Sequence, residues 1–464
     1  MGDMGRIGWV MADIRERIAA GRLQAGSRLP SIRRSAEALG VSKSTVVEAF
    51  ARLTAQGEIS SRRGAGFYVS RSQPLSLAPV GSPVEREIDP LWVMRRSLAA
   101  DDLAFKPGCG WLPDSWMPDD SIRRALRAAA RGATAALVNY SPPLGFEALR
   151  EHLSRVLGER GIGAARDQIL LTDSGTQAID LVCRLFVQPG DSVLVDDPCY
   201  FNFLNIARAH RAKIVSVPYT PNGPDPTRFA ELLTEHAPRL YLTTGTFQNP
   251  TGAMPSSIAQ HRILKLAEAH NLIVVEDDIF ADFAAQPVTR FAAFDGFERV
   301  IYVGSCSKTL SAALRCGFIC TRPDWIDSLV DLRLSTTFGG NELATRAIHR
   351  LLLDGSYRKH MHATRAKLAA AHARTRARLS DAGLREWCQP QGGLFIWAEL
   401  PDGLDAADVT RRALREGVML APGDVFSCNR SARGFLRFNV AQCSEAKIFE
   451  VLQRAMRASR KHRD

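Results

Sequence analysis

The sequence predicts a multidomain protein. An α+β winged helix-turn-helix domain is followed by an α/β domain with a mostly parallel, seven-stranded sheet and a small α+β C-terminal part. Two helix patterns joined by a glycine-containing turn lie in the first 70 residues. From residue 91 onward, strand-like and helix-like segments alternate, which indicates crossover helices on a parallel sheet. Residues 71–90 are rich in Pro, Ser, Gly and Val without periodicity, as expected of a linker.

Composition places the chain among globular proteins of two or more domains. Its 464 residues are too many for one ordinary core, and 45% of them are hydrophobic. No apolar run of about 18 residues and no signal-peptide pattern occurs, so a cytoplasmic protein without a membrane partner is expected. The nine cysteines are scattered and lack a CxxC pair, which favours a reducing compartment and no metal site.

The N-terminal region is predicted to hold three helices, at residues 9–20, 32–39 and 43–56. The first helix has an apolar residue at every fourth position: Val10, Ile14 and Ile18. Ser31 and Ser42 are placed to cap the second and third helices, and a glycine follows each helix. Residues 58–70 contain two short strand-like runs, which predict a β-hairpin wing after the helix-turn-helix.

This region is also the most basic part of the chain. It holds 11 of the Lys and Arg residues against 6 Asp and Glu, which favours a polyanionic partner such as double-stranded DNA. In a helix-turn-helix, the start of the third helix enters the major groove and nearby basic residues hold phosphates. The predicted groove residues are Ser42, Lys43, Ser44 and Thr45, and the predicted phosphate ligands are Arg33, Arg34, Arg62 and Arg63. The alternative is a helical protein-interaction domain with a basic solvated face.

Residues 21–69 resemble the winged helix-turn-helix of the GntR family of bacterial transcription factors along their whole length. The LPS-x-R segment, the GVS-x-x-TV segment and the RxGxG-F wing all match. The resemblance implies DNA contacts from Arg33, Ser42, Ser44 and Thr45. Ala65 departs from the wing pattern at a position where small residues vary.

The larger domain is predicted to contain seven strands, at residues 169–172, 192–195, 213–217, 240–243, 272–276, 300–303 and 317–320. A large part over about residues 141–345 holds this sheet. A smaller part, over about residues 346–464, begins with long helices and contains the runs GGLFIWAEL and GFLRFNVA.

Polar groups follow several of these strands, where open α/β sheets bind ligands. Lys308 comes just after the strand 300–303, and alone it would most simply be a solvated lysine. Its predicted neighbours include the start of a helix with free N–H groups, at Ser174, Gly175 and Thr176. The others are the ring of Tyr200, the amide of Asn249, the carboxylate of Asp277, the polar groups of Ser305, Ser307 and Arg315, and Arg437 in a strand.

Pyridoxal 5′-phosphate accounts for these groups together. It needs a lysine for its Schiff base, an acid for its pyridine nitrogen, donors for its phosphate, a stacking partner and a donor to its phenolic oxygen. A substrate carboxylate would need an arginine. The alternative is a plain α/β domain whose polar loops are unrelated.

Residues 100–464 resemble fold-type I aminotransferases. The ordered motifs are YSPPLGFEALR, SGTQ, DDPCY, QNPTG, EDD, SCSKTLSAALRCG, QGGLFIW and LRFNVA. The resemblance implies a Schiff base at Lys308, a pyridine partner in Asp277 and a phenolic-oxygen ligand in Asn249. It also implies ring stacking by Tyr200 and carboxylate binding by Arg437. The implied phosphate ligands are Gly175, Thr176, Ser305, Ser307 and Arg315, with Tyr140 contributed by a second subunit.

One position departs from that pattern. Aminotransferases usually carry a tyrosine two or three residues after the aspartate, where this chain has Ile279 and Phe280. One hydrogen bond to the phenolic oxygen is lost, which is commonly worth about 1 kcal/mol. The departure therefore predicts cofactor binding with weak or partial transamination.

The combination resembles the MocR subfamily of GntR regulators. It predicts a homodimeric, DNA-binding transcriptional regulator that senses an amino acid, an amine or pyridoxal phosphate at Lys308. Two alternatives stay open. One is a genuine aminotransferase, for example of 2-aminoadipate with 2-oxoglutarate, that carries a DNA-binding domain. The other is a DNA-binding protein whose larger domain has lost its cofactor.

Overall fold

The computed structural model describes residues 6–20, 22–24, 26–62, 65–70, 89–99, 103–132 and 134–460. Two compact units, Met1–Arg86 and Glu87–Asp464, make up the chain. The predicted linker lies outside the described residues except for its last two positions. Within the described parts of the chain, no helix is long and apolar enough to cross a membrane.

The N-terminal unit consists of three helices and a hairpin: α1 (Arg6–Ala19), α2 (Ile32–Leu39), α3 (Lys43–Ala55), β1 (Ile59–Arg62) and β2 (Gly66–Val69). The two strands are antiparallel, with Ile59 opposite Val69. Ser31 and Ser42 cap α2 and α3, because their hydroxyl oxygens accept hydrogen bonds from backbone N–H groups of the first turn. Gly40 ends α2 at a φ of 61°, a conformation that favours glycine. Apolar residues of all five elements form one core.

The central sheet of the larger unit is built from eight strands: β3 (Ile169–Thr172), β4 (Ser192–Asp197), β5 (Lys213–Thr220), β6 (Gly223–Pro224), β7 (Leu240–Thr244), β8 (Ile273–Asp277), β9 (Val300–Ser305) and β10 (Gly317–Cys320). Their order is β3-β10-β9-β8-β7-β4-β5-β6. All seven predicted strands are present, and the two-residue β6 adds an eighth at one edge. The predicted strand 272–276 is shifted by one residue.

Four of the seven neighbouring strand pairs in this sheet are parallel. The edge strand β6 is antiparallel to β5, and β10 is antiparallel to both β9 and β3. The reason is the short connection, residues 306–316, which contains no helix and cannot make a parallel crossover. This connection carries Lys308. The lysine therefore lies on a tight return between two core strands.

Helices cover both faces of the sheet, either directly or, as α4 and α6 do, by packing against other helices: α4 (Pro90–Ala99), α5 (Asp119–Ala130), α6 (Ala135–Val138), α7 (Glu147–Glu159), α8 (Gly175–Phe186), α9 (Phe201–Ala209), α10 (Pro226–His236), α11 (Ser257–Ala269), α12 (Phe291–Asp295), α13 (Pro323–Thr337) and α14 (Glu342–Leu353). Successive strand residues alternate between two cores, as Val274 and Val275 do. The predicted boundary near residue 346 falls inside α14, whose buried side chains pack with the sheet.

The smaller part follows α14. It contains α15 (Ser356–Asp381), β11 (Arg385–Glu386), β12 (Phe395–Glu399), α16 (Ala406–Arg415), β13 (Ala421–Pro422), β14 (Phe435–Asn439) and α17 (Ala446–Arg460). The strands form an antiparallel sheet in the order β11-β12-β14-β13. Arg437 lies opposite Trp397 of β12 and Ala421 of β13, so a charged side chain projects from the middle of this sheet.

Candidate functional site

The predicted site residues meet at the carboxyl edge of the central sheet. Asp277 is the last residue of β8, Lys308 lies in the turn after β9, and Asn249 lies in the turn after β7. Parallel strands end at the same edge, and side chains that follow them therefore converge. Arg437 reaches this edge from β14, where it donates a hydrogen bond to Asn249.

Lys308 is half-buried and lies close to Arg437. A Cβ atom placed on Gly110 would be 3.9 Å from both Lys308 Nζ and Arg437 Nη2, so the two side chains border the same small space. Burial lowers the pKa of Lys308 to about 8, and the positive charges of Arg437 and Arg315 contribute to the shift. Near neutral pH, a lysine with this pKa has a much larger neutral, nucleophilic fraction than a solvated lysine.

Asp277 is 4% exposed. Its Oδ1 atom accepts a hydrogen bond of 3.2 Å from the backbone N–H of Ile279. Burial raises the pKa of Asp277 to about 7, Asp278 adds to the rise, and Lys308 opposes it. A buried carboxyl group in this state is stabilised by a cationic partner, and a protonated pyridine nitrogen is such a partner.

Arg437 is 2% exposed and lies between the rings of Phe395 and Phe426, at 4.4 and 4.6 Å from the ring centres. It donates to Asn249 Oδ1 at 2.8 Å and to the carbonyl oxygen of Gly108 at 2.6 Å. Its Nε atom is buried without a hydrogen-bond partner in the described structure. Burial lowers the pKa of Arg437 to about 10. These features suit a guanidinium group that binds a carboxylate ligand.

The contact with Arg437 also orients Asn249. Because the amide oxygen of Asn249 accepts from the guanidinium, its amino group is left to donate. A phenolic oxygen of a bound pyridine ring is an acceptor that this amino group could meet. The residues present thus fit the ring, amine and carboxylate contacts of pyridoxal phosphate with an amino acid.

The predicted phosphate ligands surround the start of α8. Ser174 caps this helix by accepting from the N–H of Gln177 at 3.0 Å, Gly175 is its first residue, and Thr176 is exposed. Ser305 Oγ lies 3.0 Å from Ser307 Oγ, and a Cβ on Gly175 would be 3.8 Å from Ser305 Cβ. A helix N-terminus with clustered hydroxyl groups suits a phosphate.

Two further predicted residues lie at the margins of this cluster. Arg315 is exposed on the return between β9 and β10. Tyr200 is half-buried against Phe203, and burial raises the pKa of its hydroxyl to about 12.

Tyr140 does not join these residues within one chain. It is 80% exposed, and its ring packs edge-on against Phe338, which is 61% exposed, with the ring centres 4.9 Å apart. The role in a second subunit's phosphate site stays a prediction.

The position that lacks the usual tyrosine has a different use here. Phe280 is buried and packs edge-on against Phe395, with ring centres 5.5 Å apart. Phe395 in turn lies against the guanidinium of Arg437. The ring of Phe280 therefore supports the arginine and supplies no hydroxyl to a cofactor.

Sequence reasoning did not identify the loop 108–111, which borders Lys308 and Arg437. A Cβ on Gly108 would lie 2.5 Å from the backbone of Leu420 and Ala421, so only glycine fits there. Asn439 fixes the loop by donating to the carbonyl oxygens of Cys109 and Trp111, at 3.1 and 2.8 Å. The only sequence signal was a pair of glycines in an irregular segment.

The predicted DNA-contacting residues that the structure describes lie on the surface of the N-terminal unit. Ser42 Oγ is 2.8 Å from both Ser44 Oγ and Thr45 Oγ1, so three hydroxyl groups cluster at the start of α3. Lys43 and Arg34 are exposed.

Two of the predicted phosphate ligands make contacts within this unit. Arg33 pairs with Glu37 at 3.1 Å, and Arg62 lies 4.5 Å from the ring centre of Tyr68. Arg63 lies outside the described residues.

Comparisons with known proteins find relatives for both the N-terminal and the larger unit. Residues 113–454 match the family described as aminotransferase class I and II, and residues 8–69 match the family described as bacterial regulatory proteins, gntR family. A 2-aminoadipate transaminase of Thermus thermophilus is 30% identical over 75% of this chain and 87% of its own length.

Two further relatives extend the comparison. The probable rhizopine catabolism regulatory protein MocR of Rhizobium meliloti is 28% identical over 88% of this chain and 84% of its own. A kynurenine aminotransferase of Pyrococcus horikoshii, solved in complex with PMP, superimposes with a TM-score of 0.74 at 27% identity over 82% of this chain and 96% of its own. The chain therefore belongs to the aminotransferase class I and II family and, with its gntR-family N-terminal domain, is a transcriptional regulator of the MocR type.

Proposed function

We propose that this chain is a pyridoxal-phosphate-dependent, DNA-binding regulator that senses an amino acid, an amine or the cofactor itself at Lys308. One observation carries the proposal. A half-buried lysine, a buried carboxyl group and a buried arginine whose Nε has no hydrogen-bond partner among the described residues converge in a chain that also has a DNA-binding domain. An enzyme alone has no use for such a domain.

Each residue has a defined task in this proposal. When bound, pyridoxal phosphate supplies an electrophilic carbon at which one amine replaces another. Lys308 holds the cofactor through its amine, and Asp277 keeps a proton on the pyridine nitrogen. Asn249 donates to the phenolic oxygen. Arg437 binds the carboxylate of an incoming amino acid, and the Ser305 and Ser307 hydroxyls hold the phosphate with the start of α8.

The response is proposed to pass through Arg437. This guanidinium donates to the carbonyl oxygen of Gly108, in the loop 108–111, and to Asn249, in the turn after β7. A bound carboxylate would compete for these donors and draw β14 toward Lys308. Because a bound ligand changes the free energy of this closure, it can also change how the DNA-binding domains are presented to an operator.

A homodimer is part of the proposal. Tyr140 and Phe338 form an exposed aromatic pair, and Val138, two residues before Tyr140 in the chain, is also exposed, which suits a protein–protein contact. A dimer would present two winged helices and require two operator half-sites. Light scattering of the purified protein tests this, and a monomer at micromolar concentration would contradict it.

The sensing function is tested by measuring operator affinity. DNase footprinting of the upstream intergenic DNA defines the operator, and fluorescence anisotropy then gives the dissociation constant with and without pyridoxal phosphate and a panel of amino acids and amines. We expect at least one amine to change the affinity about tenfold, a coupling of roughly 1.4 kcal/mol. If neither the cofactor nor any amine changes the affinity, the sensing function is wrong.

A second function, genuine transamination, is supported by the 30% identity to a 2-aminoadipate transaminase. Every group expected at the site is present except the tyrosine replaced by Ile279 or Phe280. Steady formation of glutamate from 2-oxoglutarate and an amino acid, 2-aminoadipate above all, would favour an enzyme. A single turnover that stalls would favour the regulator.

A third possibility, that the larger domain has lost its cofactor, has a spectroscopic test. Protein purified with pyridoxal phosphate should absorb at about 410–430 nm, as expected for the cofactor bound to a lysine amine. Lys308→Ala should remove this band. An absent band in the wild-type protein would support the cofactor-free alternative.

A further inference from the structure

Helix α15 contacts both turns that carry the reactive groups of the site. His360 Nε2 lies 2.8 Å from the carbonyl oxygen of Thr309, the residue after Lys308. Arg365 donates to the carbonyl oxygen of Asp282 at 2.9 Å, and Tyr357 donates its hydroxyl hydrogen to the Asp282 carboxylate. Asp282 lies five residues after Asp277. The first three turns of one helix therefore touch the lysine turn and the aspartate turn together.

The Asp282 carboxylate is shared between two parts of the structure. One oxygen accepts from Tyr357 of α15, and the other accepts from Arg160, at the end of α7. The side chains of Asp282 and Arg160 are about one quarter and one fifth exposed. An ion pair at this depth is screened less than a surface pair and holds its partners in a defined geometry.

From Arg160 the contacts continue into the central sheet. Arg160 lies 3.5 Å from the hydroxyl oxygen of Tyr302 in β9, and Tyr302 donates to Asp278 at 2.8 Å. Asp278 also accepts from Arg290 at 2.6 Å and directly follows Asp277 in the chain. A continuous line of hydrogen bonds thus leads from α15 to the end of β8.

The same helix belongs to the core of the C-terminal part. Met361, Leu368 and Leu379 of α15 are buried in that core. His372 lies 3.1 Å from the carbonyl oxygen of Gly393, two residues before Phe395, whose ring packs on Arg437. Any displacement of α15 therefore acts on both the lysine side and the arginine side of the site.

We propose that Tyr357, His360 and Arg365, together with Asp282, form a brace that couples the cofactor turns to the C-terminal part. Tyr357 and Asp282 are positioning residues: they touch neither cofactor nor effector, and they set the distance between the Lys308 turn and Arg437. The inference rests on the proposed function, because it assigns the route by which occupancy of that site moves the C-terminal part.

The simpler reading of these contacts is that they only stabilise the fold. A purely structural brace would lower stability when weakened, but it would leave the response of the C-terminal part to pyridoxal phosphate intact in the molecules that remain folded. The two readings therefore predict different responses of the C-terminal part to pyridoxal phosphate when the brace is weakened, and this response can be measured.

The test compares hydrogen–deuterium exchange with and without pyridoxal phosphate in three forms of the full chain. Tyr357→Phe removes one hydroxyl and keeps the ring. Tyr219→Phe is the matched control, because it makes the same substitution at a buried tyrosine whose hydroxyl has no hydrogen-bond partner among the described residues. In the wild type and the control, the cofactor should slow exchange at residues 304–316, 356–372 and 393–399.

For Tyr357→Phe we expect the absorption band and the protection of residues 304–316 to be kept. The protection of residues 356–372 and 393–399 should fall to less than half of the wild-type value. The brace is wrong if this variant has the same protection pattern as Tyr219→Phe, or if all protection is lost in proportion to the cofactor band. If Tyr357→Phe does not fold, Asp282→Asn takes its place with the same expected pattern.

The two failures are distinguishable. A wild-type protein without the cofactor band would overturn the proposed function, and the brace with it. A wild-type protein with the band and with protection of all three segments, but an unchanged pattern in both brace variants, would overturn the brace alone.

Discussion

Replacing Asp277 by asparagine should make the cofactor-free protein more stable relative to wild type as the pH rises. The same change should weaken the binding of pyridoxal phosphate. Burial raises the pKa of this carboxyl group from an ordinary value of 3.8 to about 7. In the cofactor-free protein the folded state thus holds the proton more tightly than the unfolded state. The contribution to the free energy of unfolding therefore becomes more unfavourable as the pH rises from the unfolded-state pKa toward the folded-state pKa.

The size of the effect follows from these two values. Between about pH 5 and about pH 8, the wild-type carboxyl group should cost the folded state roughly 2–3 kcal/mol of stability. Asparagine does not titrate, and its oxygen can still accept from the N–H of Ile279. The stability of Asp277→Asn relative to wild type should therefore rise by that amount over this range, whatever constant penalty its amino group adds.

The assay is unfolding of the cofactor-free protein across pH, with Asp196→Asn as the matched control. Asp196 is also buried, and burial raises its pKa to about 7, but its partners are Tyr241 and Thr243. Both variants should flatten the pH dependence, while only Asp277→Asn should weaken binding of pyridoxal phosphate, by about tenfold or more. Equal pH profiles for Asp277→Asn and wild type, or unchanged cofactor affinity, would refute the reasoning.

Three further predictions concern the lysine and the DNA-binding residues. Since burial lowers the pKa of Lys308 to about 8, the rate of cofactor uptake should rise about tenfold per pH unit up to that value and then level off. Stopped-flow absorbance measures this rate, and a rate that still rises beyond pH 10 would contradict the prediction. Arg33→Ala should weaken binding to all DNA sequences and reduce the slope of log affinity against log salt by about 0.9, and an unchanged slope would exclude a phosphate contact. Thr45→Ala should instead lower affinity for the operator by more than for unrelated DNA, as anisotropy with both duplexes would reveal; equal losses would argue against groove contact.

Sequence patterns predict most of the helices and strands because the bounds of these elements depend on interactions between residues that are close in the chain. Helix caps such as Ser31 and Ser42 and the apolar alternation of the strands fix most element bounds within one or two residues. The exceptions are α1, which begins three residues before its predicted start, and β5, which extends three residues beyond its predicted end. The strand predicted at 192–195 extends to Asp197 because Asp196, polar in sequence, is buried and bonded to Tyr241 and Thr243. A polar residue with buried partners cannot be recognised from its own neighbours.

Most contacts between distant segments could not be predicted from the sequence, because the neighbours of each residue in the chain do not indicate its distant partner. Lys308 and Asn249 follow strands and Asp277 ends one, so their meeting follows from the sheet itself. The hydrogen bond between Tyr357 and Asp282 joins helix α15 to a turn 75 positions earlier, and nothing in either segment signals it. The loop 108–111 has no periodicity, and its place depends on Gly108, which fits against the backbone of Leu420 and Ala421.

The most direct test of a cofactor site that serves a DNA-binding regulator is a comparison of operator affinity between wild type and Lys308→Ala. Each protein is titrated onto the footprinted operator with pyridoxal phosphate alone and with the amine that most affects the wild type. A sensor predicts an affinity that changes about tenfold with ligand in the wild type and stays constant in Lys308→Ala, with non-specific DNA binding equal in both. An identical ligand response in the two proteins, or none in either, would contradict it.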